Sequence, residues 1–255
     1  MLHTRSETAA FMVDVWEEPA PSASHAGQDT WLVAPRGDGL RLVAIDGCSL
    51  SRPGPGGIDG GTWAAAVVRA ALLAGDDGRE ALRRANRVLH DPTATSARDL
   101  PQACAVVGDI DADGLGVVRA GDCEAWQRSA GDWEPLFGRE IRTGASQARF
   151  RKWETMHPQA TADERYDAEV TVWASPESWH TTAVGRFADV KLEERQLGRC
   201  NEVVLATDGA RLTADRLHDV DRWLQELRRW ERNMRPPAAG AKVHDDVVVV
   251  RVRRR

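Results

Sequence analysis

No apolar stretch in this 255-residue chain approaches the roughly 20 residues that a membrane-crossing helix needs. The opening MLHTRSETAAFMVDVWEEP also lacks the uninterrupted apolar segment of a secretory leader. A cytoplasmic protein with no membrane partner is expected. The four cysteines, Cys48, Cys104, Cys123 and Cys200, form no closely spaced pairs, so reduced and mostly buried thiols are expected. Basic charge is not in excess either. A formal charge of −5 argues against general nucleic-acid or anionic-lipid binding, and the closing VVVVRVRRR reads as an alternating strand with outward arginines. The glycine-rich SRPGPGGIDGG has neither the Lys-Ser/Thr ending of a phosphate-cradling loop nor GxGxxG spacing, which argues against nucleotide binding. No internal repeat is evident.

What is present is an ordinary globular composition, 42% apolar and 29% charged, in a chain long enough to bury a sizeable core. FMVDVWEE follows a polar start as a first strand. DTWLVAP and LRLVAID read as a hairpin joined by the tight RGDG turn. GTWAAAVVRAALLAG reads as a buried helix capped by Thr62 and stopped by Gly75, and REALRRANRVLH as an amphipathic one. QACAVVGDI, GLGVVRAGD and EAWQRS follow as short strands. Residues 138–169 are polar and poor in apolar periodicity, and a loop-rich excursion is expected there. EVTVWA and VVLATDG are strand-like. The long helix TADRLHDVDRWLQELRRWERNM has Trp223, Leu227, Trp230 and Met234 spaced for a core-facing stripe, and DDVVVVRVR closes the chain as a strand. Strands outnumber helices and most connections are short. That pattern predicts an α+β layered sandwich of antiparallel sheets with helices packed outside.

Asp-Gly occurs six times, at Asp38, Asp46, Asp59, Asp77, Asp113 and Asp208. Four lie in polar or glycine-rich surroundings and read as turns. One of these, DIDADGLGVVRA, imitates a calcium loop, but its twelfth position is Ala120 where a bidentate Glu is needed; a hairpin turn is expected instead. Asp46 and Asp208 differ, because a near-continuous apolar run leads into each. An acid at such a position needs a cation, a cluster of donors or a raised pKa. Asp29 and Asp245 also stand immediately before strands. Four carboxylates at strand ends suit hard divalent cations if the fold brings them together, and serve equally well as four caps and turns if it does not.

AGQDTWLV, VAIDG, DLPQACAVV, VVRAGDCEAW, VVLATDG and HDDVVVV also occur in the order of the motifs of the metal-dependent protein serine/threonine phosphatases, the PPM or type 2C family. The chain resembles a bacterial-type single-domain member from about Asp29 to Val252. That resemblance implies one phosphatase-like domain over 1–255, folded as a four-layer α-β-β-α sandwich with two central antiparallel sheets. It implies a site for two Mn²⁺ or Mg²⁺ ions. Asp46 would bridge both ions and the Gly47 carbonyl would bind one. Asp208 and Asp245 would complete the second, with Asp29 nearby, and Asp99 would fall at a third-metal position. The implied nucleophile is a water held between ions about 3.5–4 Å apart, and the substrate a phosphoserine or phosphothreonine in a protein.

The chain departs from the family pattern at several positions. Ser24 stands where many members have a phosphate-gripping Arg, with His25 adjacent as a weaker phosphate contact. Cys123 and Glu124 replace Ser-Arg after Asp122, which is read as structural. Gln28 stands for a common acid, Cys48 for His or Met, Leu212 for the acid that partners a third metal, and Val248 for Thr. His244 reads as a solvated loop residue. The alternative is a phosphatase-like module of little or no activity that binds a phosphorylated partner or metal.

Overall fold

The computed structural model describes residues 1–20, 27–48, 53–75, 77–93, 100–128, 131–138, 143–161, 164–165, 168, 176–233 and 245–255. Ser24, His25, Asp99, His244, Met234 and the expected strand over 169–174 lie outside the described residues.

Eleven strands are described, each antiparallel to its neighbours, in two sheets. The six-stranded sheet contains β1 (Leu2–Glu7), β2 (Phe11–Glu18), β7 (Glu124–Arg128), β8 (Trp133–Pro135), β10 (Glu202–Ala206) and β11 (Val247–Arg254), in the order β1-β2-β11-β10-β7-β8. The five-stranded sheet runs in chain order as β3 (Thr30–Arg36), β4 (Gly39–Gly47), β5 (Ala103–Ile110), β6 (Leu115–Ala120) and β9 (Glu193–Leu197). The expected β3–β4 hairpin is present, with Gly37 turning it at φ +58°, a conformation L side chains disfavour. The calcium-loop imitation is the β5–β6 turn, where Asp111 Oδ1 accepts from the amides of Asp113 and Gly114 at 2.9 Å.

Each sheet buries both faces. Between the sheets, Leu42, Val106 and Val117 meet Val203, Leu205 and Val250. Outside the five-stranded sheet lie α1 (Gly60–Ala74) and α2 (Gly78–Leu89), whose Val68, Leu72 and Leu82 cover Val43, Ile45 and Val107. Outside the other lies α4 (Val220–Asn233), with Leu224 and Leu227 on Trp16, Val204 and Val249. The result is a four-layer α-β-β-α sandwich, as expected. Each fully buried Leu or Val contributes about 1.5–3 kcal/mol, so these three seams stabilise the layering far more than any surface ion pair.

Several local expectations are corrected. The cap of α1 is Asp59 rather than Thr62: the Asp59 carboxylate accepts from the Thr62 amide at 2.9 Å. Residues 138–169 are not all loop, because α3 (Gly144–Met156) runs through them, capped by Thr143. That helix buries only Ser146, so it carries no apolar stripe to read. The polar start forms β1, which is exposed along its whole length and held to β2 by ladder pairing and by Arg5 on Asp14 at 2.6 Å. In α4 the buried stripe is Val220, Leu224 and Leu227 with Arg228 and Glu231; Trp230 is 46% exposed rather than in the core.

Candidate active site

Two strand ends from each sheet meet at one end of the sandwich. Asp46 is the penultimate residue of β4 and Asp29 lies just before β3, in the five-stranded sheet. Asp208 follows β10 and Asp245 precedes β11, in the other. Backbone approaches at the junction leave no room for side chains. A Cβ on Gly47 would lie 2.6 Å from the Gly61 carbonyl oxygen, and one on Gly209 would lie 2.0 Å from that of Asp246. Glycine after each of the two acids therefore lets the end of β4 close on the start of α1, and the end of β10 on the approach to β11.

The acids feel one another. Burial is the largest influence on Asp29 and pushes its carboxyl up to about 7; Asp245 and Asp246 push the same way, while hydrogen bonds with Thr207 and Asp46 oppose. Asp46 is raised well above the ordinary carboxylate range by burial first, then by the charges of Asp29, Asp208, Cys48 and Asp122. Asp29 is 8% exposed, and its Oδ1 is buried with no hydrogen-bond partner. The structure thus brings Asp29, Asp46, Asp208 and Asp245 into one electrostatic cluster. It also adds a residue that the sequence reading set aside as structural. Asp122 offers a carboxylate oxygen within 4.8 Å of ligating atoms on both Asp46 and Cys104, and its Oδ1 is buried without a partner. The Gly-Asp turn after β6 was the available signal.

Asp245 and Asp246 divide the work of a neighbouring pair. Asp246 is the more deeply buried, and its two oxygens accept from the amides of Ala20 and Gln28, both at 2.6 Å. It is a latch between chain segments. Asp245 remains half-buried in the cluster, and its carbonyl accepts from Arg228 Nη1 at 2.9 Å. Arg228 is itself buried, donating to Glu231 at 2.6 Å and to the Glu18 carbonyl at 3.0 Å, so α4 holds the Asp245 segment in place. Gln28 reaches from the site to Asp59 at 2.7 Å and ties it to the start of α1.

Cys104 and Cys123 are poorly suited to act as nucleophiles. Cys104 is pushed up by its hydrogen bond with Cys48, by burial and by nearby carboxylates, and Cys123 by burial and the same acids.

The raised carboxyls fix a pH dependence. A carboxyl whose folded pKa exceeds its unfolded value takes up a proton on folding, so stability is lost as pH rises between the two. For Asp29 that window runs from the ordinary 3.8 to about 7. Metal-free protein should therefore lose part of its stability across this range, and Mn²⁺ should restore more at pH 8 than at pH 5.5. Thermal unfolding at both pH values, in EDTA and in Mn²⁺, checks this; an equal Mn²⁺ response at the two would contradict it.

A cleft of about 360 Å³ is lined by acidic Asp122, Glu124 and Asp208, apolar Trp126, Pro135 and Phe137, and basic Arg119, Arg211 and Arg216. No described helix is long and apolar enough to cross a membrane.

No protein-family model and no curated protein matches the sequence. Solved structures do match the fold. The serine/threonine phosphatase Stp1 from Staphylococcus aureus is 12% identical, with a TM-score of 0.61 over 94% of each chain. The catalytic domain of serine/threonine protein phosphatase PstP, in complex with two manganese ions, is 15% identical, with a TM-score of 0.57 over 96% of this chain and 98% of that one. RsbX in complex with magnesium is 11% identical, with a TM-score of 0.59 over the whole of both chains. The fold is that of the PPM-type serine/threonine phosphatases, as the motif order implied.

Proposed function

We propose that this chain, sharing its fold with serine/threonine phosphatases, hydrolyses phosphoserine or phosphothreonine in proteins with the help of two divalent cations, Mn²⁺ or Mg²⁺. One observation supports the reading: Asp46 is raised by burial and by the charges of Asp29 and Asp208, and Asp29 by burial and by the charge of Asp245. Acids far apart in sequence thus act on one another near the seam between the sheets. Carboxylates so grouped are costly without positive charge among them.

The donors fit such ions. The set is carboxylate and carbonyl oxygen, which hard cations prefer, and the partnerless Asp29 Oδ1 is a buried acceptor in need of one. Asp46 would reach both ions, the Gly47 carbonyl one, and Asp208 and Asp245 the second, with Asp29 in direct or water-mediated contact. When bound, a cation pair supplies an acidified water at neutral pH and neutralises charge on a phosphoryl group. The chain does the positioning. Gly47 and Gly209 permit close approach, Arg228 fixes the Asp245 segment, and the Asp246 latch joins the segments at Ala20 and Gln28 to β11. The adjoining cleft admits the phosphorylated side chain.

The test is hydrolysis of p-nitrophenyl phosphate and a phosphothreonine peptide, with Mn²⁺ binding followed by calorimetry. Turnover in Mn²⁺ that disappears in EDTA is expected. Metal binding without turnover would favour the inactive phosphatase-like module instead, and absence of both would defeat either reading.

A further inference from the structure

From the lining of this cleft we infer a substrate preference: Arg211 and Arg216 anchor an acidic side chain that flanks the phosphorylated residue. The inference rests on the phosphatase reading and adds to it the class of peptide taken.

Arg211 has an unusual backbone. At φ 47°, ψ 48° it is the one non-glycine residue with positive φ among the described residues, a conformation that costs free energy and persists where surroundings enforce it. Here they do. The Arg211 amide donates to the Asp208 carbonyl at 2.9 Å, Arg216 Nη1 donates to the Arg211 carbonyl at 2.5 Å, and Trp223 Nε1 donates to the neighbouring Ala210 carbonyl at 2.9 Å. The strained turn sits three residues after Asp208 and places the arginine in the lining of the same cleft.

Both guanidiniums are held from behind by aromatic rings. Arg211 lies over Trp230 at 5.2 Å from the ring centroid, and Arg216 over Trp223 at 3.6 Å. This accounts for Trp230 lying exposed on α4 instead of in the core. Stacking on a ring restricts a guanidinium but leaves its edge N–H donors available, which suits two-pronged binding of a carboxylate. Neither arginine forms an ion pair with a described carboxylate. Arg119 differs: it lines the cleft but is committed to Glu193 and the Gly138 carbonyl.

The cleft therefore combines three chemistries: Asp122 and Asp208, where cations and the phosphoryl group would belong, apolar Trp126, Pro135 and Phe137, and the two arginines. The arginines, stacked on tryptophans of α4, are placed to meet what neighbours the phosphoresidue. In a chain of net charge −5, a pair of ring-stacked arginines beside the cleft favours acidic ligands.

Phosphothreonine peptides with Glu, Ala or Lys flanks, assayed in Mn²⁺, test the assignment. The wild-type protein should favour Glu over Lys flanks by about tenfold in kcat/KM, mostly through KM. Arg211→Gly, which suits the left-handed turn, should lose most of that preference, and Arg211→Glu with Arg216→Glu should reverse it towards Lys, a gain that misfolding cannot imitate. No flank preference in the wild type, or one that survives the double charge reversal, overturns the proposal. If p-nitrophenyl phosphate and all peptides resist hydrolysis, the phosphatase reading fails on its own. Fluorescence anisotropy of labelled Glu- and Lys-flanked phosphopeptides in Mn²⁺ then decides the docking question by the same ratio.

Discussion

Asp46→Asn should abolish metal-dependent turnover and at the same time make the metal-free protein harder to unfold. The substitution preserves shape and removes one negative charge from the most crowded point of the cluster. In the absence of cations, Asp46 is raised by burial and by Asp29, Asp208, Cys48 and Asp122, and neutral Asn is spared all of these. The gain should read as a rise in Tm of the metal-free variant at neutral pH, because the burial and repulsion that oppose the ionised carboxylate are relieved. Activity moves the other way. A ligand proposed to touch both cations cannot be replaced by a neutral amide without losing one, and a fall of at least about a thousandfold is expected, roughly 4 kcal/mol of transition-state stabilisation. Thermal unfolding in EDTA and hydrolysis in Mn²⁺ read the two effects separately. A variant that is less stable without metal, or that keeps turnover, would show that Asp46 does not sit at the centre of a cation site.

Gly209→Ala should be strongly damaging to both stability and the site. The added carbon would fall 2.0 Å from the Asp246 carbonyl oxygen and 3.0 Å from Asp245 Cβ. The first of these is backbone, held in place because Asp246 latches Ala20 and Gln28 and because β11 pairs with both β2 and β10. Something must part, and the start of β11 carries Asp245 with it. A loss of about 3 kcal/mol or more is expected, which lowers Tm by roughly 6–12 °C in a chain of this size. Mn²⁺ affinity should fall with it, as calorimetry would record. Gly198→Ala is the matched control, because a Cβ there meets nothing within 4 Å and should change stability by less than about 0.5 kcal/mol. Equal effects at the two positions would mean that the close approach at Gly209 does not matter.

Much of the layering was legible because burial on both faces leaves a continuous apolar run, as in LRLVAI and VVVV, whereas exposed helices such as α2 declare one face by periodicity. The misses have the opposite cause. β1 and α3 bury almost nothing, so their sequences carry no pattern that reports structure. Trp230 matched the spacing of a core stripe, but spacing alone does not separate a ring packed inward from one serving as a platform for Arg211. The acids were legible as unusual, since a charge ending an apolar strand is costly. Their meeting was not, because it depends on β4 pairing with β5 and on β10 pairing with β7 and β11 across long stretches of chain. The resemblance in motif order supplied that expectation. It did not supply Arg211 and Arg216, which gain meaning only beside Trp223 and Trp230.

Because Asp29 and Asp46 belong to one slab of the sandwich and Asp208 and Asp245 to the other, anything seated among them acts as a rivet through both. Catalytic competence and cohesion at that edge then become a single property. Slippage of the slabs by an ångström would dismantle the chemistry before it unfolded a strand.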